Sequence, residues 1–349
     1  MKKYRIAVAG CGHMARKFWV GYALERKDVE IAALVDINRN NAEKIKEEFN
    51  LKCGIYTDIR EAIKESEANL VFDLTFVTNH RSIVVNSLEC GCDVFGEKPM
   101  AMTLEESMDM VLKAKDKEKS YFVMQNRRYT AQARTIRDAI SSGLIGDIGF
   151  VCADIFVSAD LTSVRNQLEN PMLQDNAIHT FDQARFFTGV NPVSAYCHAF
   201  NPKGSKYIGN AAGVCIFEMS DGSLFAFRCL MGAEGFHTSW ESSWRIVGSK
   251  GTIMWDGTGN VYCECISNEK EVTGSDTTRF ELKNIWGGRE GHLGCLDDMF
   301  TALDQGRKAE TDCTDNIWSM SMVYASLLST GEQRKVYILD KDGYPSFDR

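Results

Sequence analysis

The chain contains 349 residues, of which 44% are hydrophobic and 25% are charged, and its formal net charge at pH 7 is −8. This composition is typical of a folded globular protein, and the length is enough for two domains. The acidic balance excludes the electrostatic attraction to phosphate backbones on which nucleic-acid binding depends. Every apolar run is shorter than the roughly 20 residues of a membrane-spanning helix, so we expect no membrane partner.

Twelve cysteines are spread along the chain, and none of them forms a Cys-x-x-Cys pair. Without a second ligand pair at a suitable spacing, this pattern predicts no metal site. It favours reduced, half-buried thiols, which are typical of a reducing compartment. We therefore expect a cytoplasmic protein.

The first predicted strand, Arg5–Ala9, is followed by the segment GCGHMA and then by a helical pattern. In that segment Gly10 allows a tight turn and Gly12 lets the backbone approach a pyrophosphate, while Ala15 lets the helix pack close to the strand. The N–H groups at the start of the helix favour the negative charge of phosphates. The segment therefore predicts a phosphate-binding turn.

An acidic residue, Asp36, ends the second predicted strand, Val29–Val35, about twenty residues after the glycine turn. An acid at this distance is placed to accept hydrogen bonds from an adenosine ribose. Strand, glycine turn, helix and acid in this order predict a site for a nicotinamide dinucleotide.

Apolar runs alternate with amphipathic stretches over the first 125 residues. Alternating strands and helices predict a parallel sheet, here an α/β Rossmann domain with a doubly wound sheet over residues 1–125. Thr103–Lys119 reads as one of its helices and begins with a capping box. The further predicted strands are Gly54–Tyr56, Leu70–Phe76, Asp93–Phe95 and Tyr121–Met124.

The tripeptide Glu97-Lys98-Pro99 follows the fifth predicted strand, at the edge of the sheet where ligands bind. A lysine at this point can reach a bound nicotinamide or a substrate hydroxyl. Pro99 fixes the local turn and is a candidate for a cis peptide bond. From the tripeptide alone, a solvated surface turn is the alternative.

After Asn126 the pattern changes to one helix, Ala131–Ser142, and then to a series of strand-like runs separated by turns. This pattern predicts an α+β domain over residues 126–349, with a large, mainly antiparallel open sheet and helices on one face. Two late helices are expected near Leu293–Gln305 and Asn316–Thr330. We expect another subunit to cover the apolar outer face, giving a homodimer or homotetramer. The predicted strands are Phe150–Val157, Val193–Phe200, Gly213–Met219, Leu224–Leu230, Trp244–Val247, Gly251–Trp255 and Val261–Ile266.

A second cluster of polar residues contains one histidine between two acids. At helical spacing, Asp175, His179 and Asp182 would share one stripe. Such a histidine is a candidate general acid/base, because the carboxylates orient the imidazole and stabilise its charged form. The alternative is a capped helix with a satisfied polar face.

The order of these motifs resembles that of the glucose–fructose oxidoreductase / inositol dehydrogenase / MocA-type (Gfo/Idh/MocA) family, over nearly the whole chain. The resemblance is carried by the GCGHMA turn, Glu97-Lys98-Pro99, the segment QNRRY at 125–129, and DNAIHTFD at 175–182. It implies an oxidoreductase that binds a sugar, cyclitol or related polyol between its domains and moves a hydride between a C–H bond and nicotinamide. One departure is Ala177, where many members carry glycine.

The resemblance also implies roles for individual residues. His179 would be the acid/base, Lys98 would bind the reacting oxygen and assist proton transfer, and Asp175 would orient the site. His80 has an alternative as a helix-start residue, and structural ion pairing is an alternative for Arg127 and Arg128. The expected cofactor contacts are Gly10, Gly12, His13, Met14, Ala15, Asp36, Arg39, Thr75, Phe76, Asn79, His80, Glu97 and Lys98. The expected substrate contacts are Lys98, Asn126, Arg127, Arg165, Asp175 and His179, with Asp160 and Asn166 as further candidates.

The expected cofactor is NAD, because Asp36 would repel the 2′-phosphate of NADP, although Arg39 is close enough to compensate in part. Two other activities fit the same motifs. One is an enzyme that keeps NAD bound and oxidises a sugar transiently, for elimination or glycoside cleavage. The other is reduction of an imine, a tetrapyrrole intermediate or an aromatic diol. A non-catalytic dinucleotide-binding sensor is the alternative from a different class.

Overall fold

The computed structural model describes residues 3–158, 164–268 and 275–348, without the side chains of residues 164 and 165. Asp160 and the Arg165 side chain, both predicted to bind substrate, therefore lie outside the described residues. The chain forms two compact units. Unit 1 comprises residues 1–126 and 289–317, and unit 2 comprises residues 127–288 and 318–349.

The strands of unit 1 form a parallel sheet, and among the described residues it has six of them in the order β3-β2-β1-β4-β5-β6. This confirms the predicted Rossmann sheet. The order reverses at β1, and ligands of such sheets bind outside the carboxyl ends of the strands at that point. The strands are β1 (Tyr4–Ala9), β2 (Val29–Val35), β3 (Gly54–Tyr56), β4 (Leu70–Asp73), β5 (Asp93–Gly96) and β6 (Tyr121–Val123).

Helices follow most of these strands. The predicted capping residue Thr103 accepts a hydrogen bond from the Glu106 N–H (3.2 Å), as expected for the start of a helix. A π turn over Ala15–Trp19 precedes the first α-helix. The helices in chain order are α1 (Val20–Glu25), α2 (Arg39–Glu48), α3 (Ile59–Ser66), α4 (Val77–Glu89), α5 (Leu104–Asp116), α6 (Ala131–Ser141), α7 (Ala177–Thr188), α8 (Gly291–Gln305) and α9 (Cys313–Glu332).

Helix α8 belongs to unit 1 although it follows the whole of the second sheet in the chain. Its Phe300 ring packs edge-on against Phe95, with 5.1 Å between ring centroids. The Tyr22 hydroxyl donates to Asp297 at 2.9 Å. These contacts place residues 289–317 with the parallel sheet of unit 1, whereas the predicted division assigned them to the domain at 126–349. The division into a nucleotide-binding and a substrate-binding domain stays a prediction.

Unit 2 is built on a mixed sheet, mainly antiparallel, which has ten strands among the described residues. This confirms the predicted fold class. The three strands that follow Asn268 are additional to those predicted. The strands are β7 (Ile148–Val157), β8 (Pro192–Phe200), β9 (Ala212–Met219), β10 (Leu224–Met231), β11 (Ser243–Gly248), β12 (Gly251–Trp255), β13 (Tyr262–Asn268), β14 (Asp276–Glu281), β15 (Val336–Lys341) and β16 (Tyr344–Phe347).

Helix α7 covers one face of this mixed sheet with aromatic contacts. The buried Phe181 ring lies 4.9 Å from that of Phe217 and 5.1 Å from that of Phe227, in edge-on packing. Trp244 is buried against Phe187 on the same face, so it belongs to the core and not to an exposed aromatic surface. Edge-on aromatic pairs of this kind add about 0.5–1.5 kcal/mol each beyond the burial of area.

The opposite face of the mixed sheet exposes large apolar side chains on several neighbouring strands. Tyr196 pairs across the strands with Ile216, and Met254 pairs with Tyr262. Soluble monomers rarely expose large contiguous apolar patches. The exposed apolar residues of this outer face are Phe150, Tyr196, Phe200, Val214, Ile216, Met254, Tyr262 and Ile266.

All twelve cysteines are free thiols. The described residues contain no group of three or more His, Cys, Asp or Glu side chains arranged to hold a metal ion. In the part of the chain that the structure describes, every helix is too short or too polar to span a bilayer.

Candidate functional site

The glycine turn after β1 depends on two different properties of glycine. Gly10 has a φ of +88°, and a Cβ at this residue would lie 2.5 Å from the carbonyl carbon of Leu74. A Cβ at Gly12 would meet no atom of the described chain within 4 Å. Gly10 is therefore required by the fold, whereas the space beside Gly12 is available for a ligand.

The Asp36 carboxylate is held in place by the backbone of two loops. Its Oδ2 accepts the Cys11 N–H at 2.9 Å, and its Oδ1 accepts the Asn38 N–H at 2.8 Å. The Asn41 amide lies farther away, at 3.4–3.5 Å. Because a carboxylate has about four lone-pair positions, Asp36 keeps acceptor capacity for hydroxyl groups. It is fixed beside the glycine turn, as an adenosine ribose requires.

Arg39, the cation expected to compensate for a 2′-phosphate, is paired with a neighbour on its own helix. Its Nε lies 3.0 Å from Glu43 Oε1, one turn along α2. Both side chains are solvent-exposed, so the pair is worth only about 0.3–0.5 kcal/mol. Glu43 thus reduces the positive charge available beside Asp36, and the sequence reasoning did not identify it.

Two large apolar side chains are exposed at the carboxyl edge of the parallel sheet. Ile37, directly after Asp36, is 91% exposed, and Phe76, after β4, is 79% exposed. Binding pockets for small molecules are lined mainly by apolar groups with a few polar ones between them. Ile37 was missed because a single apolar residue between polar ones gives no periodic signal.

The other predicted cofactor residues of unit 1 differ in accessibility. His13 and Asn79 are exposed, and Met14 and Thr75 are partly exposed. His80 is buried, with both ring nitrogens bonded to backbone carbonyls. The ring therefore has internal partners, and the contact of His80 with the cofactor stays a prediction.

The Glu97-Lys98-Pro99 turn follows β5 at the same edge of the sheet. The peptide bond between Lys98 and Pro99 is cis. Glu97 is buried, and its Oε1 accepts the Trp19 indole N–H at 2.8 Å. Burial raises the pKa of Glu97, and the bond from Trp19 and the charge of Lys98 lower it in part. Glu97 thus supports the turn from within, and its contact with the cofactor stays a prediction. Lys98 is partly exposed.

A histidine to which the sequence assigned no role lies beside Lys98 in unit 1. His292, at the start of α8, stacks on Phe18 with 4.2 Å between ring centroids. Its Nδ1 lies 3.4 Å from the amide nitrogen of Asn126, a predicted substrate residue. Burial and the charges of Lys98 and Lys17 lower the pKa of His292 to about 4, so its ring is neutral at pH 7.

In unit 2, the segment that contains Asp175 and His179 begins with a π turn. The π turn covers Met172–Asn176, and α7 starts at Ala177. Hydrogen bonds in a π turn span five residues instead of four, and such turns are frequent at functional sites. Asp175 and His179 therefore do not lie on one regular α-helical face, which differs from the predicted stripe.

Asp182, the third member of that stripe, is part of a buried ion pair. Its two oxygens accept from the Arg128 guanidinium at 2.7 and 2.5 Å. The Ser319 hydroxyl also donates to it at 2.7 Å. Because the ion pair is bidentate and buried, it holds α7 in place. The ion-pairing alternative therefore holds for Arg128.

Arg127 forms an ion pair with an acid that the sequence did not single out, Glu241. Arg127 Nε lies 3.2 Å from Glu241 Oε1, and the Gln183 amide donates to Glu241 Oε2 at 3.3 Å. Burial lowers the pKa of Arg127, against the charges of Glu241 and Asp175, which raise it. Burial raises the pKa of Glu241 in turn. Glu241 lies in a loop more than sixty residues from Asp175, where local patterns carry no information.

The residues of unit 1 fit a dinucleotide. The open position at Gly12, the fixed Asp36 and the exposed Ile37 and Phe76 would take the pyrophosphate, the ribose and the adenine. Lys98 follows β5 at the edge where the nicotinamide end would lie. Lys98 lies in unit 1 and His179 in unit 2, so their predicted cooperation stays a prediction.

Comparisons with known proteins agree with this assignment. The family model described as "Oxidoreductase family, NAD-binding Rossmann fold" matches residues 4–125, and the "GFO/IDH/MocA C-terminal domain" model matches residues 133–254. The chain is 24% identical to a D-apiose dehydrogenase of Rhizobium rhizogenes, over 97% of this chain and 98% of that protein. It is 22% identical to a myo-inositol 2-dehydrogenase of Thermotoga maritima, over 88% and 91%.

The fold is also similar to that of a solved oxidoreductase from Agrobacterium radiobacter in complex with NAD+, L-tartaric acid and magnesium. The TM-score is 0.82 at 20% sequence identity, over 96% of this chain and 98% of that chain. At this identity the likeness shows a shared fold.

Substitution of the two glycines by alanine separates the fold from the ligand site. Gly10→Ala places a Cβ against Leu74 in a strained backbone conformation, and we expect a loss of more than about 1–3 kcal/mol in unfolding free energy. Gly12→Ala should change stability by no more than about 0.5 kcal/mol but weaken NAD binding about tenfold or more, because its methyl group enters the ligand space. Calorimetry and NAD titration measure the two effects. Unchanged NAD affinity in Gly12→Ala would contradict the proposal that a pyrophosphate binds beside Gly12.

Proposed function

This chain belongs to the Gfo/Idh/MocA family of NAD-binding oxidoreductases, and we propose that it transfers a hydride between a hydroxyl-bearing carbon and a nicotinamide dinucleotide. The proposed substrate is a sugar, a cyclitol or a related polyol, in keeping with the D-apiose and myo-inositol dehydrogenases to which the chain is similar. Its twelve free thiols fit a reducing compartment, and we propose that it acts in the cytoplasm.

The observation that carries the proposal is the position of Lys98 relative to the glycine turn after β1, where the dinucleotide would bind. The strands before the glycine turn and before Lys98 are β1 and β5, and β4 lies between them in the sheet. Because the strands are parallel, Lys98 and the turn lie at the same edge. A cation placed there is in reach of a substrate oxygen next to the nicotinamide end of the cofactor.

The proposed chemistry divides between two side chains. A bound nicotinamide supplies the hydride acceptor or donor. Lys98 donates a hydrogen bond to the substrate oxygen and stabilises its developing negative charge. His179 takes the hydroxyl proton during oxidation and returns it during reduction, a contribution of about 10²–10⁴-fold for a well-placed general base. Asp175 orients the site, and the neutral His292 ring leaves Lys98 as the cationic partner of the oxygen.

The proposed roles of Lys98 and His179 are tested with the two single variants and with the double variant. We expect Lys98→Ala and His179→Ala each to lower kcat about 10²–10⁴-fold while the NAD dissociation constant changes little. If both act on one proton transfer, the double variant should lose no more than the worse single variant. A panel of sugars and cyclitols with NAD and NADP, followed by absorbance of the reduced cofactor, measures turnover.

Two further variants serve as controls for this experiment. Lys98→Arg keeps the charge but cannot release a proton, so partial activity would assign electrostatic stabilisation to Lys98. Lys44→Ala removes an exposed lysine of α2 and should leave kcat unchanged. Wild-type turnover in Lys98→Ala or His179→Ala would remove that residue from the mechanism.

Cofactor preference is tested at Asp36. Asp36→Ala removes the acceptor for the ribose hydroxyls and the charge that opposes a 2′-phosphate, so NAD binding should weaken and NADP use should improve relative to NAD. Adding Glu43→Gln frees Arg39 and should strengthen NADP binding further, whereas Glu43→Gln alone should leave NAD affinity unchanged. Titration with both cofactors provides the measurement. If the ratio of the NAD and NADP dissociation constants were unchanged in Asp36→Ala, the proposed role of Asp36 in cofactor preference would be refuted.

We propose that the outer face of the mixed sheet is covered by a second copy of the chain, in a homodimer or homotetramer. Its apolar residues would otherwise remain in water at a cost of about 25 cal/mol per Å². Ile216→Asp, on strand β9 of this face, should dissociate the oligomer, whereas Leu112→Asp on α5 should not. Light scattering measures the mass of each variant. A monomeric wild-type protein at micromolar concentration would disprove this interface.

A further inference from the structure

The His80 ring in α4 bridges two loops at the ligand edge of unit 1. His80 is only 2% exposed. Its Nδ1 lies 2.9 Å from the Pro99 carbonyl oxygen, and its Nε2 lies 3.0 Å from the Thr75 carbonyl oxygen. Carbonyl oxygens accept hydrogen bonds and cannot donate them, so each ring nitrogen must carry a proton to form its bond.

We propose that His80 is a buried imidazolium that fastens the Lys98–Pro99 turn to the loop after β4, and that it is a positioning residue for Lys98. The cationic state follows from the two carbonyl partners alone. The role toward Lys98 rests on the proposed function of the enzyme.

A neutral ring does not fit these two contacts. Neutral imidazole has one N–H and one bare nitrogen lone pair. Whichever tautomer formed, the bare nitrogen would face a carbonyl oxygen at 2.9 or 3.0 Å, so that two acceptors would oppose each other. A buried acceptor without a donor is strongly disfavoured. Rotation of the ring by 180° would place carbon atoms at both carbonyl oxygens, and both hydrogen bonds would be lost.

Two buried carboxylates supply the negative charge that a buried cation requires. Asp73, at the end of β4, is fully buried, and Glu97, after β5, is 7% exposed. Burial raises the pKa of both carboxyl groups, and the charge of His80 lowers each of them. A buried charge is stable only when opposite charge or hydrogen bonds compensate it. Asp73 and Glu97 provide this compensation from the two strands that the ring connects.

The hydrogen bonds of Asp73 extend the arrangement to the loop after β4. One of its oxygens accepts the Thr75 hydroxyl at 2.6 Å and the Thr75 N–H at 3.2 Å. Its other oxygen has no hydrogen-bond partner within residues 3–158, 164–268 and 275–348. The charge of His80 lowers the pKa of Asp73 against the effect of burial, so a cationic ring would favour the charged form of this carboxyl group.

The geometry explains how His80 acts on Lys98. The strands β4 and β5 are neighbours, and the Glu97 N–H donates to the Asp73 carbonyl at 2.9 Å. His80 adds a second link between the same two strand ends, at the residue directly after Lys98. A displacement of a catalytic group by about 1 Å can reduce a rate about 10²-fold, so the backbone at Pro99 must be fixed.

The charge state is tested by NMR on the wild-type protein with ¹⁵N-labelled histidine at about pH 7.5, where an ordinary exposed histidine is mostly neutral. We expect two protonated ring nitrogens for His80, with slow exchange against water. His292, whose pKa is lowered to about 4 by burial and by the charges of Lys98 and Lys17, is the internal reference for a neutral ring. The His80 signals are assigned by their loss in His80→Gln or, if that variant does not fold, by through-space contacts to the His80 backbone. A single ring N–H would overturn the proposal.

The positioning role is tested by kinetics of His80→Gln. Its neutral amide carries both N–H groups on one nitrogen, so it cannot replace the two separate ring nitrogens that contact the two carbonyls. We expect kcat to fall about tenfold to hundredfold, with substrate KM and the NAD dissociation constant within about threefold of wild type. Ser87→Ala is the matched control, because Ser87 is buried on the same helix and its hydroxyl donates to the carbonyl of Ile83 within that helix. Its kcat should remain that of wild type.

The two measurements separate this proposal from the proposed function. A folded His80→Gln variant with full kcat would refute the positioning role, even with an imidazolium in the NMR spectrum. If the wild type oxidised no polyol, the proposed function would fail. The number of ring N–H protons would still decide the charge state of His80.

Discussion

The close approach of the glycine turn to the end of β4 is the constraint on which unit 1 depends. Gly10 lies against the backbone of Leu74 at a distance that leaves no room for a side chain. Because the turn is pressed against this strand, the Cys11 N–H reaches Asp36 and the position at Gly12 remains open. The proposed phosphate position and the proposed ribose acceptor therefore both depend on one backbone contact.

Much of the fold could be predicted because its elements carry local signals. The strand β2 has the predicted bounds, and Thr103 caps α5 as its sequence indicates. The strand β14 could not be predicted, since all of its residues are exposed and show no alternation. The hairpin β15–β16 does carry a local signal, Asp342-Gly343, which is typical of a tight turn, although its two strands are additional to those predicted.

The candidate site was predictable only where a motif is contiguous in the chain. The glycine turn and Lys98 are of this kind. His292 and Glu241 approach their partners from distant segments, and a π turn alters the spacing between Asp175 and His179. Asp182 matched the spacing of a site residue but is bound to Arg128, because a buried arginine requires a carboxylate. Long-range contacts of this type leave no trace in a local pattern.

The bond between Asp36 and the Cys11 N–H has a consequence for how such an enzyme can change during evolution. The side chain proposed to discriminate between dinucleotides also accepts a hydrogen bond from the loop that is proposed to receive their phosphates. A substitution of Asp36 that weakens the preference for one coenzyme also removes the hydrogen bond to the Cys11 N–H, and the loop becomes less well fixed. A lineage that switches to the phosphorylated coenzyme therefore needs a compensating change within the glycine turn, and single-step conversion is disfavoured.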